Sequence, residues 1–268
     1  MPLSERQLVA FADKHAVQIP YDTSPRHLAG PGDARHVTHG LAAAGWNAVS
    51  DTLSAEIILA SPDLRHRLQF DPQSRTSAWW RQRAEPVGTE PSWYAEFGEL
   101  VPAEVLAAFT DALTAPPPKQ PDPWQQVTSA GWHHEPDGAR SPDSMCHIEL
   151  RPLSEFHDRS SWHIETREPV SGPRIWHAYL DEHTPAHLVS AFLTALTDRS
   201  PLQRGMFERT GHYSAVQEPS TLRPQQVVDA HATRIKHLRA QARSARRQQT
   251  KPATIPAHAS TAQPAARR

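Results

Sequence analysis

Seventeen histidines in a 268-residue chain raise metal chemistry first. Zinc on a helix needs histidines at i and i+4 plus a further ligand, and thiolate sites need paired cysteines. His183 and His187 have the spacing, but Pro185 between them sets them across a helix start, not along one helical face. His133 and His134 are adjacent and on a strand point to opposite sides. Cys146-His147 is a single pair, and Cys146 is the only cysteine, which excludes an internal disulfide and a multi-thiolate site. No metal and no cofactor is expected.

Hydrolytic and nucleotide chemistry find no better footing. The chain has no Gly-x-Ser-x-Gly elbow, no Gly-x-x-x-x-Gly-Lys phosphate loop and no Gly-x-Gly-x-x-Gly fingerprint. Gly30-Pro31-Gly32-Asp33 reads as a turn, since the proline removes an N–H that an anion cradle would use. Ser-Pro-Asp occurs at residues 61–63 and 141–143. Asp63 and Asp143 could be read as paired carboxylates, but a Pro-Asp turn between two strands explains them more cheaply. No catalytic residue is assigned, and the chain reads as a non-enzyme.

Arginine and tryptophan carry the binding signal. Strand alternation puts Arg65, Arg67 and Gln69 on one side, and on a neighbouring strand Trp79, Arg81 and Arg83 share a side. Arginines around an exposed aromatic suit single-stranded nucleic acid, through phosphate contact and stacking. The second copy described below has Met145, His147, Glu149, Ser161, His163 and Glu165 at the matching positions. A cationic and an acidic face could therefore pack sheet on sheet, with Trp79 as an internal anchor. The second cationic candidate is the C-terminal stretch Arg234, Lys236, Arg239, Arg243, Arg246 and Arg247, which includes no acid. Residues 1–222 hold 18 Lys/Arg against 28 Asp/Glu, whereas 223–268 hold 10 against the single Asp229. Such a split marks an interaction arm or a tail that folds back on an acidic body.

The elements that must position these residues come from a duplication. Ala44-Gly45-Trp46 recurs as Ala130-Gly131-Trp132, and Trp80 as Trp162. From Trp93 to Thr114 the sequence matches Trp176 to Thr197 at a constant offset of 83, with ten identities in 22 positions. All eight tryptophans fall inside the two copies. Each copy predicts a short helix ending at Gly45 or Gly131, short strands, then a helix starting near Pro102 or Pro185. The strands of the first copy fall at about 47–51, 55–60, 65–70, 78–84 and 92–97, with fewer or shorter ones in the second. Val105, Leu106, Phe109 and Leu113 form an apolar stripe that Leu188, Val189, Phe192 and Leu196 repeat.

The resulting organisation is an N-terminal helix and lead-in (1–24), unit 1 (25–114), a proline-rich spacer (115–122), unit 2 (123–198), a connector (199–222), a basic helix (223–248) and a disordered tail (249–268). The fold class is α+β: two tandem homologous units, each a small antiparallel sheet backed by a C-terminal helix, plus a basic C-terminal tail. Ser24-Pro25-Arg26-His27-Leu28-Ala29-Gly30-Pro31-Gly32-Asp33, Leu41 to Trp46, Ser61-Pro62-Asp63, Trp79-Trp80 and Phe109 to Leu113 together resemble a duplicated actinobacterial family, domain of unknown function 317. The resemblance implies the duplication and brings no established activity.

With no signal segment and no long apolar run, a cytoplasmic protein without membrane contact is expected. The leading functional expectation is a non-enzymatic binding or scaffold protein acting through a protein partner. Nucleic-acid binding through the basic tail and the Arg/Trp face is the alternative. An enzyme of unrecognised type comes third, to be favoured by a pocket with converging titratable groups.

Overall fold

Each unit is bounded by helix ends that its sequence specifies. The computed structural model describes residues 3–249 except 52, 120, 121, 155, 156, 170 and 171. Apart from Gln249, the tail expected to be disordered lies outside the described residues. Helix α1 (Glu5–Ala16) opens on a capping box in which the Ser4 hydroxyl accepts from the Gln7 N–H and Gln7 Oε1 from the Ser4 N–H. Helices α2 (Arg35–Ala43) and α4 (Pro123–Ser129) are the first helices of the two units. Both close with Schellman motifs: Trp46 N–H reaches the Leu41 carbonyl and Gly45 N–H that of Ala42, and Trp132 and Gly131 do the same with Val127 and Thr128. Gly45 and Gly131 take φ of +97° and +79°, which a side chain would strain.

Unit 1 continues with β2 (Asn47–Ala48), β3 (Ile57–Ala60), β4 (His66–Phe70), β5 (Ala78–Ala84), β6 (Trp93–Gly98) and α3 (Ala103–Thr114). Unit 2 has β7 (His133–Glu135), β8 (Gly138–Arg140), β9 (Cys146–Ser154), β10 (His157–Arg167), β11 (Arg174–Leu180) and α5 (Ala186–Thr197). The second unit therefore has as many strands as the first. Its β9 and β10, at 9 and 11 residues, are longer than their counterparts, contrary to the expectation of fewer or shorter ones.

The Ser-Pro-Asp segments are turns in both copies. Ser61 Oγ accepts from the His66 N–H at 2.9 Å and donates to Asp63 Oδ1 at 2.5 Å. Ser141 repeats this with the Cys146 N–H and Asp143 at the same two distances. The next residues, Leu64 and Ser144, take left-handed φ near 60°. The hydroxyl and carboxylate thus tie the turn together, as the sequence reading preferred.

The two sheets join edge to edge. Ten strands run in the order β2-β3-β4-β5-β6-β11-β10-β9-β8-β7, every neighbour antiparallel. At the junction Phe97 faces Ala178, Glu96 faces Tyr179 and Ala95 faces Leu180. Because these residues are equivalents at the offset of 83, the pairing is symmetric about Glu96–Tyr179. Face-to-face stacking of the two sheets, the competing expectation, is thereby excluded.

Helices α2, α3, α5 and α4 lie side by side across one face of this sheet. A single core runs beneath them through both units. Phe97 sits at its centre, 5.3 Å from the ring of Phe109 and 5.4 Å from that of Phe192. Phe109 and Phe192 are both fully buried, as the repeated stripe predicts. Among the described residues no helix covers the opposite sheet face, which antiparallel sheets tolerate by alternating apolar and polar side chains.

The lead-in and connector, for which the sequence predicts no strand, build a second sheet. Strand β1 (Pro20–Ser24) lies between β12 (Leu202–Gly205) and β13 (Val216–Pro219), antiparallel to both. Residues 25–28, counted with unit 1 in the sequence, run against unit 2. Arg26 donates to the carbonyls of Ala195 and Ser200 and to Asp198 at 2.7–2.8 Å, capping the end of α5. Helix α6 (Pro224–Gln249) packs on α1 and α2, burying His231, Ile235 and Leu238.

Candidate functional site

The helix-free face holds three of the five predicted residues. Arg67 on β4 stands directly opposite Arg83 on β5, and Gln69 opposite Arg81. Among the described residues none of these three arginines has a carboxylate within ion-pair distance. Arg81 donates to Thr76 Oγ1 at 2.5 Å and Ser74 Oγ at 3.2 Å, and Arg83 lies 5.4 Å over the Tyr94 ring. Like charges opposite each other on paired strands destabilise a sheet, so the Arg67/Arg83 pair is a local cost.

Arg65 and Trp79 do not join them. Arg65 precedes β4 and is drawn to the β5–β6 turn, at 2.5 Å from Glu90 and 3.3 Å from the Glu85 carbonyl. Trp79 is the extra residue of a β-bulge, since Ala78 pairs with Gly98 and Trp80 with Phe97. The bulge breaks the alternation that placed it beside Arg81. Its indole is half-buried against the core, with its ring 6.3 Å from that of Phe70.

The middle of the face consists of residues the sequence reading passed over. Tyr94 and Glu96 on β6 and His177 and Tyr179 on β11 straddle the junction. Tyr94 donates its hydroxyl to Glu96 at 2.7 Å; burial and then this carboxylate push its pKa up to about 12. His177 reaches the other Glu96 oxygen at 3.3 Å, and His163 meets Tyr179 edge to face at 5.1 Å. The alternation of Trp93-Tyr94-Ala95-Glu96-Phe97 already separated Tyr94 and Glu96 from the core. What it lacked was the knowledge that this side stays open. Beyond the junction, Glu149 pairs with Arg151 and Glu165 with Arg167 and Arg174, so these acids are locally neutralised.

The basic helix divides into used and exposed cations. Arg234 is committed to the body, donating to both Asp111 oxygens at 2.6–2.7 Å and to the His36 carbonyl at 2.8 Å. Arg239 donates to the Leu3 carbonyl at 2.9 Å. These two dock α6 and are withdrawn from the proposed phosphate-binding set. Lys236 and Arg243 stay exposed; Arg246 and Arg247 are exposed too but make contacts of their own, and Arg246 lines a groove beside Trp46.

A cavity of about 280 Å³ lies between α2, α6 and β12, lined by His15, Asp33, His36, Glu104, Arg204 and His231 among others. Its charged groups satisfy one another. The Arg204 side chain, 1% exposed, donates to both Glu104 oxygens and to the carbonyls of Ala29, Gly30 and Gln203 at 2.7–3.1 Å. Asp33 accepts from Lys14 and Arg35 and lies 3.3 Å from the His15 ring nitrogen. Burial opposes its charge, but these partners hold its carboxyl well below the usual range. His231 stacks on Phe11 at 3.8 Å and meets His39 at 3.2 Å. Burial and neighbouring positive groups depress both imidazoles, His39 to about 4 and His231 to about 2. The converging titratable groups that would favour an enzyme are therefore present, and their mutual contacts also tie α1, α2, α6 and β12 together.

Asp181, Glu182 and His183 bring ligand atoms within 4.8 Å of one another. Asp181 already accepts from the N–H groups of Tyr94 and His183 and from the Thr184 hydroxyl, which explains the cluster as the turn leading into α5. His187 lies inside α5, apart from His183, as Pro185 implied. No helix among the described residues is long and apolar enough to cross a membrane.

These features define a duplicated α+β protein in which two five-stranded units share one sheet and one core. The SPDY family model, described as a domain of unknown function (DUF317), matches the chain twice, over residues 60–119 and 140–202. The chain carries this domain in two tandem copies, and the Ser-Pro-Asp turns lie at or just inside the start of each match. Neither the curated proteins nor the solved structures give a match.

Proposed function

We propose that the chain is a non-catalytic binding protein whose helix-free sheet face receives an acidic segment of a protein partner. The observation that carries this reading is the group Arg67, Arg81 and Arg83, three guanidinium groups on adjacent strands beside Tyr94 with no carboxylate in ion-pair distance among the described residues. A carboxylate-bearing segment laid over β4 and β5 relieves the Arg67/Arg83 repulsion, and the tyrosines at the junction supply rigid contact area. Glu96, directly across from Arg81 on β6, opposes a phosphodiester strand running on over β6, whereas a protein segment can confine its acids to β4 and β5.

A second reading rests on exposed Lys236 and Arg243, which suit phosphate contacts made by α6. The test compares proteins and nucleic acids captured by the full chain, with and without nuclease, against Arg67→Glu/Arg83→Glu and Lys236→Glu/Arg243→Glu. A nuclease-resistant protein lost only with the first pair supports the sheet face. Capture unaffected by that pair overturns it. Nucleic acid lost only with the second pair supports the helix, with a log–log salt slope of about −0.7 per phosphate contact on single strands.

A further inference from the structure

Arg67, Arg81 and Arg83 are not demanded by the fold, because unit 2 builds the same strands without them. The Arg67–Arg83 pair across β4 and β5 corresponds in register to His147–Glu165 across β9 and β10. Gln69–Arg81 corresponds in the same way to Glu149–His163. Unit 2 thus sets unlike groups opposite each other, and its Glu165 also pairs with Arg167 and Arg174. Unit 1 sets two guanidinium groups opposite each other, with no acid in ion-pair distance among the described residues. A local cost that the equivalent place avoids is the mark of a site kept for a ligand.

The three guanidinium groups are also held ready. Arg83 lies 5.4 Å over the Tyr94 ring, whose hydroxyl is already given to Glu96. Arg81 spends only Nη2 on Thr76 and Ser74, which leaves its Nε and Nη1 hydrogens unused. Arg67, exposed and directly opposite Arg83, has no hydrogen-bond partner among the described residues. Residues directly opposite on paired strands have Cβ atoms about 4.5–5.5 Å apart, so two such forks can close on one tetrahedral oxyanion. All three cations are arginine, whose planar fork takes phosphate oxygens bidentately where lysine supplies a point charge. A carboxylate brings one negative charge and two oxygens, whereas a phosphomonoester brings a charge of about −1.5 to −2 and three oxygens. Glu96, across from Arg81, is engaged by Tyr94 and His177 and closes the cationic patch on the β6 side.

We infer that the acid received by this face is a phosphorylated serine or threonine of the partner segment. Its phosphate is held between Arg67 and Arg83, with Arg81 on a further oxygen. The short side chain keeps the partner backbone close over β4 and β5. The inference rests on the sheet-face reading above and adds a condition to it: the partner is bound once phosphorylated and let go once the phosphate is removed.

The test uses bead-bound peptide libraries with identical mixed flanks and phosphoserine, glutamate or serine at the centre. Retention of the full chain on the phosphoserine beads should exceed that on the glutamate beads about tenfold, with none on serine. Arg67→Ala/Arg83→Ala should remove the excess, and both positions are exposed, so the fold should survive. Arg67→Lys/Arg83→Lys keeps the charge without the forks and should also lose most of it, which covers a failure of the alanine pair to fold. Equal or stronger retention on glutamate overturns the phosphate inference and leaves the acidic-segment reading standing. No retention on any library overturns both. An excess that survives either double substitution overturns the inference too. So does an excess abolished by a single-stranded oligonucleotide at matched phosphate concentration, which would mean a general phosphate site.

Discussion

Arg204→Met tests the reading of the α2–α6–β12 cavity as structural. The guanidinium makes five hydrogen bonds, two of them to Glu104, and is almost fully sealed from water. Methionine fills much of the volume but strands the Glu104 carboxylate, whose remaining neighbour at 3.6 Å is the His36 imidazole, itself held toward the neutral form by burial, and leaves three carbonyls without this donor. Removing one partner of a buried ion pair costs about 3–5 kcal/mol, because the surviving charge is left uncompensated. At about 2–4 °C per kcal/mol for a chain of this size, the melting temperature should fall by about 6–20 °C. Adding Glu104→Gln removes the stranded charge and should recover at least about 1 kcal/mol. Thermal and urea unfolding followed by tryptophan fluorescence measure both. A drop under about 2 °C for Arg204→Met, or strictly additive losses in the double variant, would refute the account.

The remaining predictions concern the core, the histidines and the thiol. Trp176→Ala should cost about 3–5 kcal/mol and more than Trp93→Ala, since Trp176 also loses its bond to the His27 carbonyl; equal losses would remove that bond's importance. His39 and His231 stay neutral in the fold while the unfolded chain protonates them below about pH 6.5. Their contribution is thus complete above that pH and is lost as pH falls, by about 3 kcal/mol for His39 alone on reaching pH 4. His39→Gln should flatten that part of the stability profile, and a profile unchanged by it would count against the cluster. Burial pushes the Cys146 thiol up to about 12, so native protein at neutral pH should react with a thiol reagent only on unfolding; prompt labelling would contradict its sealed position.

The duplication, the helix ends and the apolar stripes were legible because they are local. Gly45 and Gly131 fix helix ends by conformation, and Phe109 and Phe192 declare their burial by spacing. Trp79 was misplaced because a bulge changes sides without changing composition. The junction of β6 with β11 was not legible, since alternation tells which side a residue takes and not which strand lies beside it. The β12–β1–β13 sheet escaped for the same reason: Asp22 meets Gln203 and Glu218 across more than half the chain, and such short strands carry little periodic signal. Arg26, His27 and Arg204 looked like surface residues by type. Their burial follows from contacts between segments that the sequence keeps far apart.

The symmetric junction at Glu96 and Tyr179 bears on why two copies share one chain. In an association of identical separate units, whatever residue sits on the twofold axis must meet itself. A glutamate there would face a glutamate across adjacent strands, an arrangement that weakens the joint. Covalent linkage lifts that obligation, because the two sides of the axis can then differ while the geometry of the pairing is kept. The carboxylate on one side meets a tyrosine on the other, and the same freedom lets one unit keep Arg67, Arg81 and Arg83 where the other has His147, His163 and a Glu165 paired with its own arginines.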